Sequence, residues 1–421
     1  MKRVLIFPCG SEVGLELYRA LADSIHFTVF GASSVDDHGK FVYRNYIGGL
    51  PHIDAPDFVE QINRVVEEYA IDFIMPAHDS AVLTLAQHQQ SLLAVVVTSP
   101  VATCAVCRSK GETYRVFAGR LPTPRVFETG EPMDFPVFLK PNVGQGSKGT
   151  HKAGSLREVA FHLWRDPTLL CLEYLPGREY TIDCFTDRHG ALRFAGGRER
   201  RRIQGGISVN SREVRDGRFQ AMAQTINDTL KFRGAWFFQV KERAGGELVL
   251  MEIAPRIAGT MALFRVDGVN LAQLSLYDLM DRQVTILRNN SGLEIDRALT
   301  SRFALEYVYS AVYVDFDDTL TVDDRVNTSV IRLLYQARND GKRIIMLSRH
   351  RRDIFDSLRR AAISQHLFDD IRVIGDTALK SDFIRERDAI FIDDSFAERK
   401  EVAERRHIPV FALDAVEALL A

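Results

Sequence analysis

The sequence predicts an α/β protein of three domains, at residues 1–99, 100–305 and 306–421. Short apolar runs alternate with helix patterns in the first segment, which indicates a parallel, doubly wound sheet. Longer strand patterns and glycine-rich turns follow in the middle. In the last segment short apolar strands end in acidic side chains, which predicts a second Rossmann-like sheet. A chain of 421 residues is too long for one ordinary hydrophobic core.

The composition is that of a globular protein and argues against two classes of partner. Apolar residues make up 46% and charged residues 26% of the chain, as in soluble globular proteins. The 54 Lys and Arg residues against 56 Asp and Glu residues give a net charge of −2, without the basic excess typical of nucleic-acid binding. The richest apolar run, residues 92–97, is far shorter than the roughly 18 residues of a membrane span. We therefore expect neither nucleic acid nor a membrane as partner.

Neither a leader nor a disulfide framework is indicated. Pro8 and Gly10 end the apolar run at residues 4–7 too early for the hydrophobic region of a signal peptide, so the run predicts a first strand. Five cysteines form no even framework, and the lone C-x-x-C of Cys104 and Cys107 has no second pair. Such a motif favours a chance pairing over zinc or redox chemistry. These features predict a cytoplasmic protein.

The first segment predicts strands at residues 4–7, 26–31 and 72–76. It also predicts one helix that opens at the turn of residues 9–14 and a second helix at residues 58–69. Ligands of such a sheet bind at the carboxyl ends of its strands. Gly10 and Gly14 lie at the first such end, where a nucleotide turn and a plain strand–helix turn explain them equally well. His78 and Asp79 follow the third strand, either as substrate contacts or, more simply, as polar loop residues.

A glycine-rich loop is the feature around which the middle of the chain is organised. An apolar strand pattern starts at Val137 and ends in Lys140. The loop that follows carries glycines, hydroxyls and a second lysine: Gly144, Gly146, Ser147, Lys148, Gly149 and Thr150. Glycines let backbone N–H groups approach an anion closely, and a lysine at a strand end is a fixed cation. The spacing is neither a Walker A loop nor a dinucleotide fingerprint, so a phosphate loop and a simple hairpin both remain open.

Further motifs follow in a fixed order. A helix starts at Lys110, and strands are predicted at residues 125–127, 169–174, 179–185, 232–241 and 247–253. The motifs on these elements are Glu173-Tyr174-Leu175, Glu179 within residues 177–183, Gln239, and Glu252 with Arg256 in residues 252–256. Together with Lys110 and the Lys140 loop, this order resembles the ATP-grasp superfamily over residues 1–305. The resemblance implies a Rossmann-like lead domain followed by α+β grasp domains.

The resemblance also implies roles for these residues. Nucleotide phosphates would contact Lys110, Lys140 and the loop with Gly146 and Ser147. The adenine hinge would consist of Glu173, Tyr174 and Leu175, and Glu179 would hold the ribose. Mg²⁺, with Mn²⁺ as an alternative, would bind Gln239 and Glu252, and Arg256 would steady the reacting phosphate. These residue types suit a hard cation and a transferring phosphoryl group.

Two features qualify this resemblance. The family usually carries Asn two residues after the metal-binding Glu, whereas this chain has Ala254, which cannot ligate a metal. The charge run at residues 198–202, followed by Gly205 and Gly206, is either a solvated loop or an anion contact. In grasp enzymes this region tends to face the acyl phosphate, which would make Arg200 or Arg202 the contact.

The last segment carries a second ordered set of motifs. Asp315 and Asp317 follow an apolar strand, Ser348 ends the next, Lys380 lies in a helix-like stretch, and Asp393 ends a third strand. Two carboxylates at i and i+2 of a strand point the same way and can share a Mg²⁺ ion. This set resembles the haloacid dehalogenase (HAD) superfamily over residues 308–421. The short intervals between the motifs leave no room for a large cap domain.

The second resemblance implies a phosphatase. Asp315 would attack phosphorus, and Asp317 would act as general acid and base. Ser348 and Lys380 would bind the transferring phosphoryl group. Asp393 would complete a Mg²⁺ site with Asp315 and Asp317.

The sequence thus predicts a bifunctional enzyme. One part would join a small-molecule carboxylate to an amine through an acyl phosphate, with ATP and Mg²⁺. The other would dephosphorylate a small molecule of the same pathway. Two alternatives stay open for the grasp part: a kinase acting on an amide or hydroxyl, and a degenerate module that senses nucleotide and regulates the phosphatase. Family members are often dimers.

Overall fold

The computed structural model describes residues 1–128, 130–290, 292–303, 305–323 and 325–420. The chain divides into two compact units, Met1–Leu299 and Thr300–Ala421. We call them the N-terminal unit and the C-terminal unit. Among the helices of these described ranges, none is both long and apolar enough to cross a membrane.

The N-terminal unit opens with a parallel five-stranded sheet in the order β3-β2-β1-β4-β5. Its strands are β1 (Lys2–Phe7), β2 (Phe27–Ala32), β3 (Asn45–Ile47), β4 (Phe73–Pro76) and β5 (Val95–Val96). Its helices are α1 (Glu12–Leu21), α2 (Phe58–Glu68) and α3 (Asp79–Gln87), with a 3₁₀ turn at His38–Phe41. The parallel sheet predicted for this segment is therefore present, and α3 begins where β4 ends.

Two antiparallel sheets follow. The smaller has the order β7-β6-β8, and the larger has the order β13-β12-β9-β10-β11-β14. Their strands are β6 (Val137–Pro141), β7 (His151–Ala153), β8 (Leu169–Glu173), β9 (Glu179–Thr186), β10 (Leu192–Gln204), β11 (Ile207–Val214), β12 (Gly234–Glu242), β13 (Leu248–Ala254) and β14 (Glu294–Asp296). The helices are α4 (Val101–Arg108), α5 (Lys110–Phe117), α6 (Leu156–Arg165), α7 (Gly217–Thr229), α8 (Ala262–Val266) and α9 (Leu271–Leu279). The strand predicted at residues 125–127 is wrong: only a single bridge between Val126 and Leu172 forms there.

One hydrophobic core joins the first sheet to the larger antiparallel sheet. It contains Val4 and Leu17 from the first hundred residues together with Phe185, Phe264 and Leu276. Because buried side chains from both segments share this core, the sheets are fixed relative to each other.

The C-terminal unit contains a second parallel five-stranded sheet, in the order β19-β18-β15-β20-β21. The strands are β15 (Ala311–Val314), β16 (Thr321–Val322), β17 (Arg325–Val326), β18 (Arg343–Ser348), β19 (Asp370–Val373), β20 (Ala389–Ile392) and β21 (Val410–Phe411). The helices are α10 (Thr328–Asn339), α11 (Ile354–Arg360) and α12 (Phe396–Arg406), with 3₁₀ turns at Gln365–Leu367, Lys380–Phe383 and Leu413–Leu419. Strand β15 lies between β18 and β20, so the carboxyl ends of all three meet at one edge.

Candidate functional sites

A cavity of about 280 Å³ lies in the N-terminal unit. It is lined by each of the residues predicted for the nucleotide and its metal: Lys110, Lys140, Gly146, Ser147, Glu173, Tyr174, Leu175, Glu179, Gln239, Glu252 and Arg256. They come from α5, both antiparallel sheets and the loops between them. The fold therefore brings together residues that are spread over about a third of the chain.

The glycine-rich loop is both a hairpin connection and a wall of this cavity. It joins the antiparallel strands β6 and β7, and Lys110 Nζ donates to the carbonyl of Gly144 at 3.0 Å. Gly146 and Ser147 have positive φ angles of 60° and 53°, a conformation that L side chains rarely adopt. A Cβ atom at Gly206 would overlap the carbonyl of Gly146. The turn between β10 and β11 thus lies directly against the loop, and only glycine fits there.

Lys140 is a buried cation on the cavity wall. Its side chain lies over the Tyr114 ring, with Nζ 5.5 Å from the ring centroid, and donates to the carbonyl of Met251 at 3.5 Å. Burial lowers the pKa of Lys140 to about 8, although the carboxylate of Glu252 favours the charged form. A phosphate in the cavity would supply the strong partner that the buried ammonium lacks.

The side chain of Glu173 is held by other groups of the protein. Arg243 donates to it from Nη2 at 2.6 Å and from Nε at 3.0 Å, and the Arg125 backbone N–H donates at 2.9 Å. Burial raises the pKa of Glu173, but the hydrogen bonds from Arg243 and the Arg125 backbone and the charges of both arginines together outweigh burial and leave the pKa below its ordinary value. Glu173 therefore fixes the segment that continues to Tyr174 and Leu175. Arg243 escaped sequence analysis because it lies 70 residues from its partner.

Arg200, and not Arg202, faces the cavity. Arg200 forms an ion pair with Glu179, donates to Gln239 Oε1 at 2.8 Å and donates to the carbonyl of Gly206 at 2.9 Å. Arg202 instead pairs with Asp296 at 2.7 Å, outside the cavity, with both side chains more than half exposed. Of the two arginines that the resemblance marked, Arg200 and Arg202, only Arg200 is in reach of an anion bound among the predicted nucleotide residues.

The two residues predicted to bind Mg²⁺ in this unit are cross-strand neighbours. Gln239 on β12 lies opposite Glu252 on β13, and directly opposite residues project from the same face of a sheet. Their oxygen donors suit Mg²⁺, although Gln239 Oε1 already accepts from Arg200. Ala254 packs in an apolar cluster with Phe237 and Ala258. The position where the family usually has Asn is therefore apolar here.

Arg256 is clamped by Asp79, which sequence analysis left as either a substrate contact or a polar loop residue after β4. Arg256 donates to both carboxylate oxygens of Asp79, at 2.6 and 2.7 Å, and to the carbonyl of Ile257 at 2.9 Å. Burial raises the pKa of Asp79, but the charge and hydrogen bonds of Arg256, with the charges of Arg108 and His78, together outweigh burial and the pKa falls below its ordinary value. This bidentate pair fixes the plane of the guanidinium. The signal that could have suggested this pair is the position of Asp79 just after a strand, in a chain whose Arg256 was already predicted to contact phosphate.

In the C-terminal unit four of the predicted phosphatase residues form a compact centre at the edge where β15, β18 and β20 end: Asp315, Ser348, Lys380 and Asp393. Lys380 is 2% exposed, and its Nζ donates to Asp393 Oδ2 at 2.6 Å and lies 3.2 Å from Asp315 Oδ1. Ser348, at the end of β18, is fully buried. Burial raises the pKa of Asp393 to about 6, although Lys380 opposes the shift, and burial also raises the pKa of Asp315. These residues are therefore close enough to act on one group.

Asp317 does not join the carboxylates in this centre. The group whose oxygens lie within 4.8 Å of one another consists of Asp315, Asp393 and Asp394. The Asp317 carboxylate contacts His350 Nδ1 at 2.8 Å, and His350 Nε2 contacts the hydroxyl of Ser357 at 2.7 Å. Strand β15 ends at Val314, so the alternation that would point residues 315 and 317 the same way no longer applies. Sequence analysis assigned only Asp393 of the Asp393–Asp394 pair to the metal, and it missed His350, which lies two residues after Ser348.

Comparisons with known proteins concern the N-terminal unit and its fold. Residues 165–300 match the family model described as ATP-grasp in the biosynthetic pathway with Ter operon. No protein of curated function matches the sequence.

Solved structures with the same fold cover about two thirds of the chain. The Rhizobium etli pyruvate carboxylase is 16% identical with a TM-score of 0.56, over 66% of this chain and only 28% of its own. The biotin carboxylase domain of the Hydrogenobacter thermophilus 2-oxoglutarate carboxylase is 14% identical with a TM-score of 0.58, over 68% of this chain and 71% of its own. The Bacillus licheniformis L-amino acid ligase is 16% identical with a TM-score of 0.53, over 66% and 74%.

The family match and the shared fold agree with the geometry of the cavity. The matched residues 165–300 include Glu173, Glu179, Gln239, Glu252 and Arg256, all of which line it. Residues 165–300 therefore resemble an ATP-grasp family, and the chain shares its fold with these solved structures.

Proposed function

We propose that the N-terminal unit is an ATP-dependent carboxylate–amine ligase. The observation that supports it most is a single cavity in which a buried Lys140, a clamped Arg256 and the glycine-rich loop face the same space. One structural neighbour is named an L-amino acid ligase, and another was solved with MgADP. From these we carry over ATP, Mg²⁺ and a small carboxylate as ligands of this unit.

The proposed reaction has two steps. A carboxylate oxygen attacks the γ-phosphorus of ATP, ADP leaves and an acyl phosphate forms. An amine nitrogen then attacks the acyl carbon, inorganic phosphate leaves, and the nitrogen loses a proton as the amide forms. Lys110 and Lys140 hold the phosphates, and Arg256 offsets the charge on the transferring group. Glu252 and Gln239 are the residues that would hold Mg²⁺, which neutralises charge on the phosphate oxygens.

We further propose that the C-terminal unit is a Mg²⁺-dependent phosphatase that acts on a phosphorylated small molecule of the same pathway. Asp315 attacks phosphorus, the ester oxygen leaves with a proton from Asp317, and water then cleaves the aspartyl phosphate to free phosphate. Lys380 and Ser348 bind the phosphoryl oxygens. The oxygen donors of Asp315, Asp393 and Asp394 fit a Mg²⁺ ion, since three carboxylates converge within 4.8 Å. The shared pathway is inferred from the presence of both units in one chain.

A phosphorus NMR experiment on the full-length Asp315→Asn protein tests the ligase, because removal of the phosphatase nucleophile preserves phosphorylated products. ATP is followed with pooled carboxylates, with and without pooled amines. We expect ADP and free phosphate only when both pools are present. ADP with a new phosphorylated compound in the absence of amine would contradict a ligase and indicate a kinase.

The same experiment addresses the nucleotide-sensing alternative, which the apolar surroundings of Ala254 favour. ATP that binds without turnover in the Asp315→Asn protein, and that changes the phosphatase rate of the wild-type protein, would support a sensor. Hydrolysis of p-nitrophenyl phosphate by the wild-type protein tests the phosphatase directly. Two activities on chemically unrelated molecules would contradict the shared pathway.

A further inference from the structure

The larger antiparallel sheet places a buried arginine beyond the predicted nucleotide residues. Arg198 on β10 lines the cavity and is 1% exposed. Its Nε donates to Asp183 Oδ2 at 2.7 Å, and its Nη2 donates to Asp183 Oδ1 at 3.3 Å. Among the residues that the structure describes, Arg198 Nη1 has no hydrogen-bond partner. One end of the guanidinium is therefore anchored while the other remains a donor without an acceptor.

An unsatisfied buried donor costs free energy unless a ligand completes it. A guanidinium has five N–H groups and accepts no hydrogen bond, so the missing partner must be an acceptor. A bound cation would be repelled, and an apolar group would leave the donor desolvated. Lys and Arg side chains outnumber Asp and Glu side chains along the cavity, eight to five. The partner that fits these conditions is an anionic oxygen, such as that of a carboxylate.

The strand register separates Arg198 from the site of phosphoryl transfer. Thr181 on β9 lies opposite both Arg198 on β10 and Gln239 on β12, so the backbones at Arg198 and Gln239 are two strand spacings, roughly 10 Å, apart. The nucleotide-side row of the sheet contains Glu179 and Lys241, which are also paired across strands. Arg198 leans the opposite way, toward Asp183 in the next row. The guanidinium is therefore anchored on a strand two spacings from Gln239, and Nη1, on the edge opposite the one that faces Asp183, is the nitrogen left free for a ligand in the cavity.

We propose that Arg198 binds a carboxylate that is not the one activated by ATP, and so selects the substrate. This inference rests on the proposed ligase and deepens it. The carboxylate belongs either to a dicarboxylate on the acid side or to an amino acid on the amine side. Asp183 holds the guanidinium in place, and Nη1 donates to the substrate oxygen. A monocarboxylic acid with a simple amine lacks this contact and binds more weakly.

Binding to the full-length protein, saturated with Mg²⁺ and a non-hydrolysable ATP analogue, tests the proposal. Calorimetry compares glutarate with butyrate and β-alanine with propylamine. We expect the member with the extra carboxylate in at least one pair to bind tighter, about tenfold or more, as a charge-assisted hydrogen bond provides. A preference within the first pair assigns the carboxylate to the acid substrate, and one within the second pair assigns it to the amine substrate.

Variants then assign the preference to Arg198. Arg198→Lys keeps the charge and a partner for Asp183 but removes Nη1, so it should lose the preference while its affinity for the ATP analogue stays unchanged. Asp183→Asn keeps the guanidinium and removes the competing carboxylate, so it should keep or strengthen the preference. Arg202→Lys, on the same strand outside the cavity, is the matched control and should behave like the wild type.

Several results would overturn the inference. The first is an Arg198→Lys protein that keeps the wild-type preference for the extra carboxylate. The second is a variant in which binding of the ATP analogue and binding of the carboxylate fall equally. The third is a wild-type protein that shows no preference in either pair of compounds. ADP formation is measured separately with ATP. Preferential binding without ADP formation would reject the ligase but support the Arg198 subsite. ADP formation without any binding preference would support the ligase but reject the Arg198 subsite.

Discussion

The two candidate sites differ in how their charged side chains are held. In the C-terminal unit the predicted functional residues contact one another, with Lys380 bridging Asp315 and Asp393. In the N-terminal unit, a predicted functional residue can be held by a residue to which we assign no role in the reaction, as Asp79 holds Arg256. A centre whose members depend on one another should fail as a unit. A cavity with separate supports should lose function in steps.

The largest expected effect is the loss of phosphatase activity in Asp315→Asn. Asparagine lacks the nucleophilic carboxylate and one charge partner of Lys380, so hydrolysis of p-nitrophenyl phosphate should fall by at least about 10³-fold. ATP-dependent turnover by the N-terminal unit should stay within about twofold of the wild type, since no residue of its cavity changes. Steady-state rates of both activities in the full-length protein check this.

Asp356→Asn is the matched control for that substitution. Asp356 lies on α11, where it pairs with Arg359 in an exposed i,i+3 contact of the kind that contributes little to stability. Both activities should survive in this variant. A phosphatase rate that persists in Asp315→Asn would show that the carboxylate centre does not supply the nucleophile.

A smaller, selective effect should follow from His350→Asn. His350 contacts Asp317 at 2.8 Å and Ser357 at 2.7 Å, so it would position the proposed general acid. Protonation matters most for a poor leaving group. Hydrolysis of glycerol 2-phosphate should therefore fall about tenfold more than hydrolysis of p-nitrophenyl phosphate.

The ratio of the two rates separates positioning from structural damage in His350→Asn. Equal losses on both esters would show that His350 only supports the fold. His366→Asn changes an exposed histidine of the same unit and should leave the ratio at its wild-type value. Ser357→Ala should shift the ratio in the same direction as His350→Asn, by less, because His350 keeps its contact with Asp317.

The sequence predicted the ends of the strands better than it predicted which side chains form ion pairs. Buried apolar strands have a local pattern, so the neighbourhoods of Asp315, Ser348 and Asp393 followed from the rule that parallel strands end at one edge. The pairing of Arg243 with Glu173 and of Arg256 with Asp79 has no local pattern, since these partners are 70 and 177 residues apart. Such contacts depend on how the sheets pack, which periodicity does not record.

The departure at Asp317 has a different physical origin. The rule that i and i+2 share a face holds within a strand, but β15 ends at Val314 and Asp318 has a positive φ of 54°. Asp315 and Asp317 thus lie beyond the strand, where its alternation no longer applies, and Asp394, which follows β20, joins Asp315 and Asp393 instead. The motif predicted the location of the centre, whereas the third carboxylate depended on backbone geometry beyond the strand.

The smallest expected effect is a pH dependence of nucleotide binding that tests the stepwise behaviour of the cavity. Lys140 has a pKa of about 8 in the free protein, below that of an unfolded lysine. Bound phosphate favours the ammonium and raises this pKa. ATP affinity should therefore be constant below pH 8 and fall, by up to about tenfold at pH 9, as Lys140 loses its proton.

The stability of the ligand-free protein should respond with the opposite sign. Between pH 8 and the pKa of an unfolded lysine, about 10.4, the unfolded chain binds more protons at this residue than the folded chain. The Lys140 contribution to the free energy of unfolding therefore rises with pH over that window, while ATP affinity falls. Calorimetry and denaturant unfolding across pH 7–10 measure the two slopes.

Lys140→Arg isolates this residue, because a guanidinium stays charged throughout the window and both Lys140-dependent slopes should disappear. Lys231→Arg, at an exposed position, should keep them. Slopes that persist in Lys140→Arg would show that another group titrates, and the buried ammonium would then not be the phosphate contact. Deprotonation of Lys140 neutralises only one of several cations in the cavity, so the loss of ATP affinity should be partial. Removal of one carboxylate from the C-terminal centre should instead abolish nearly all phosphatase activity.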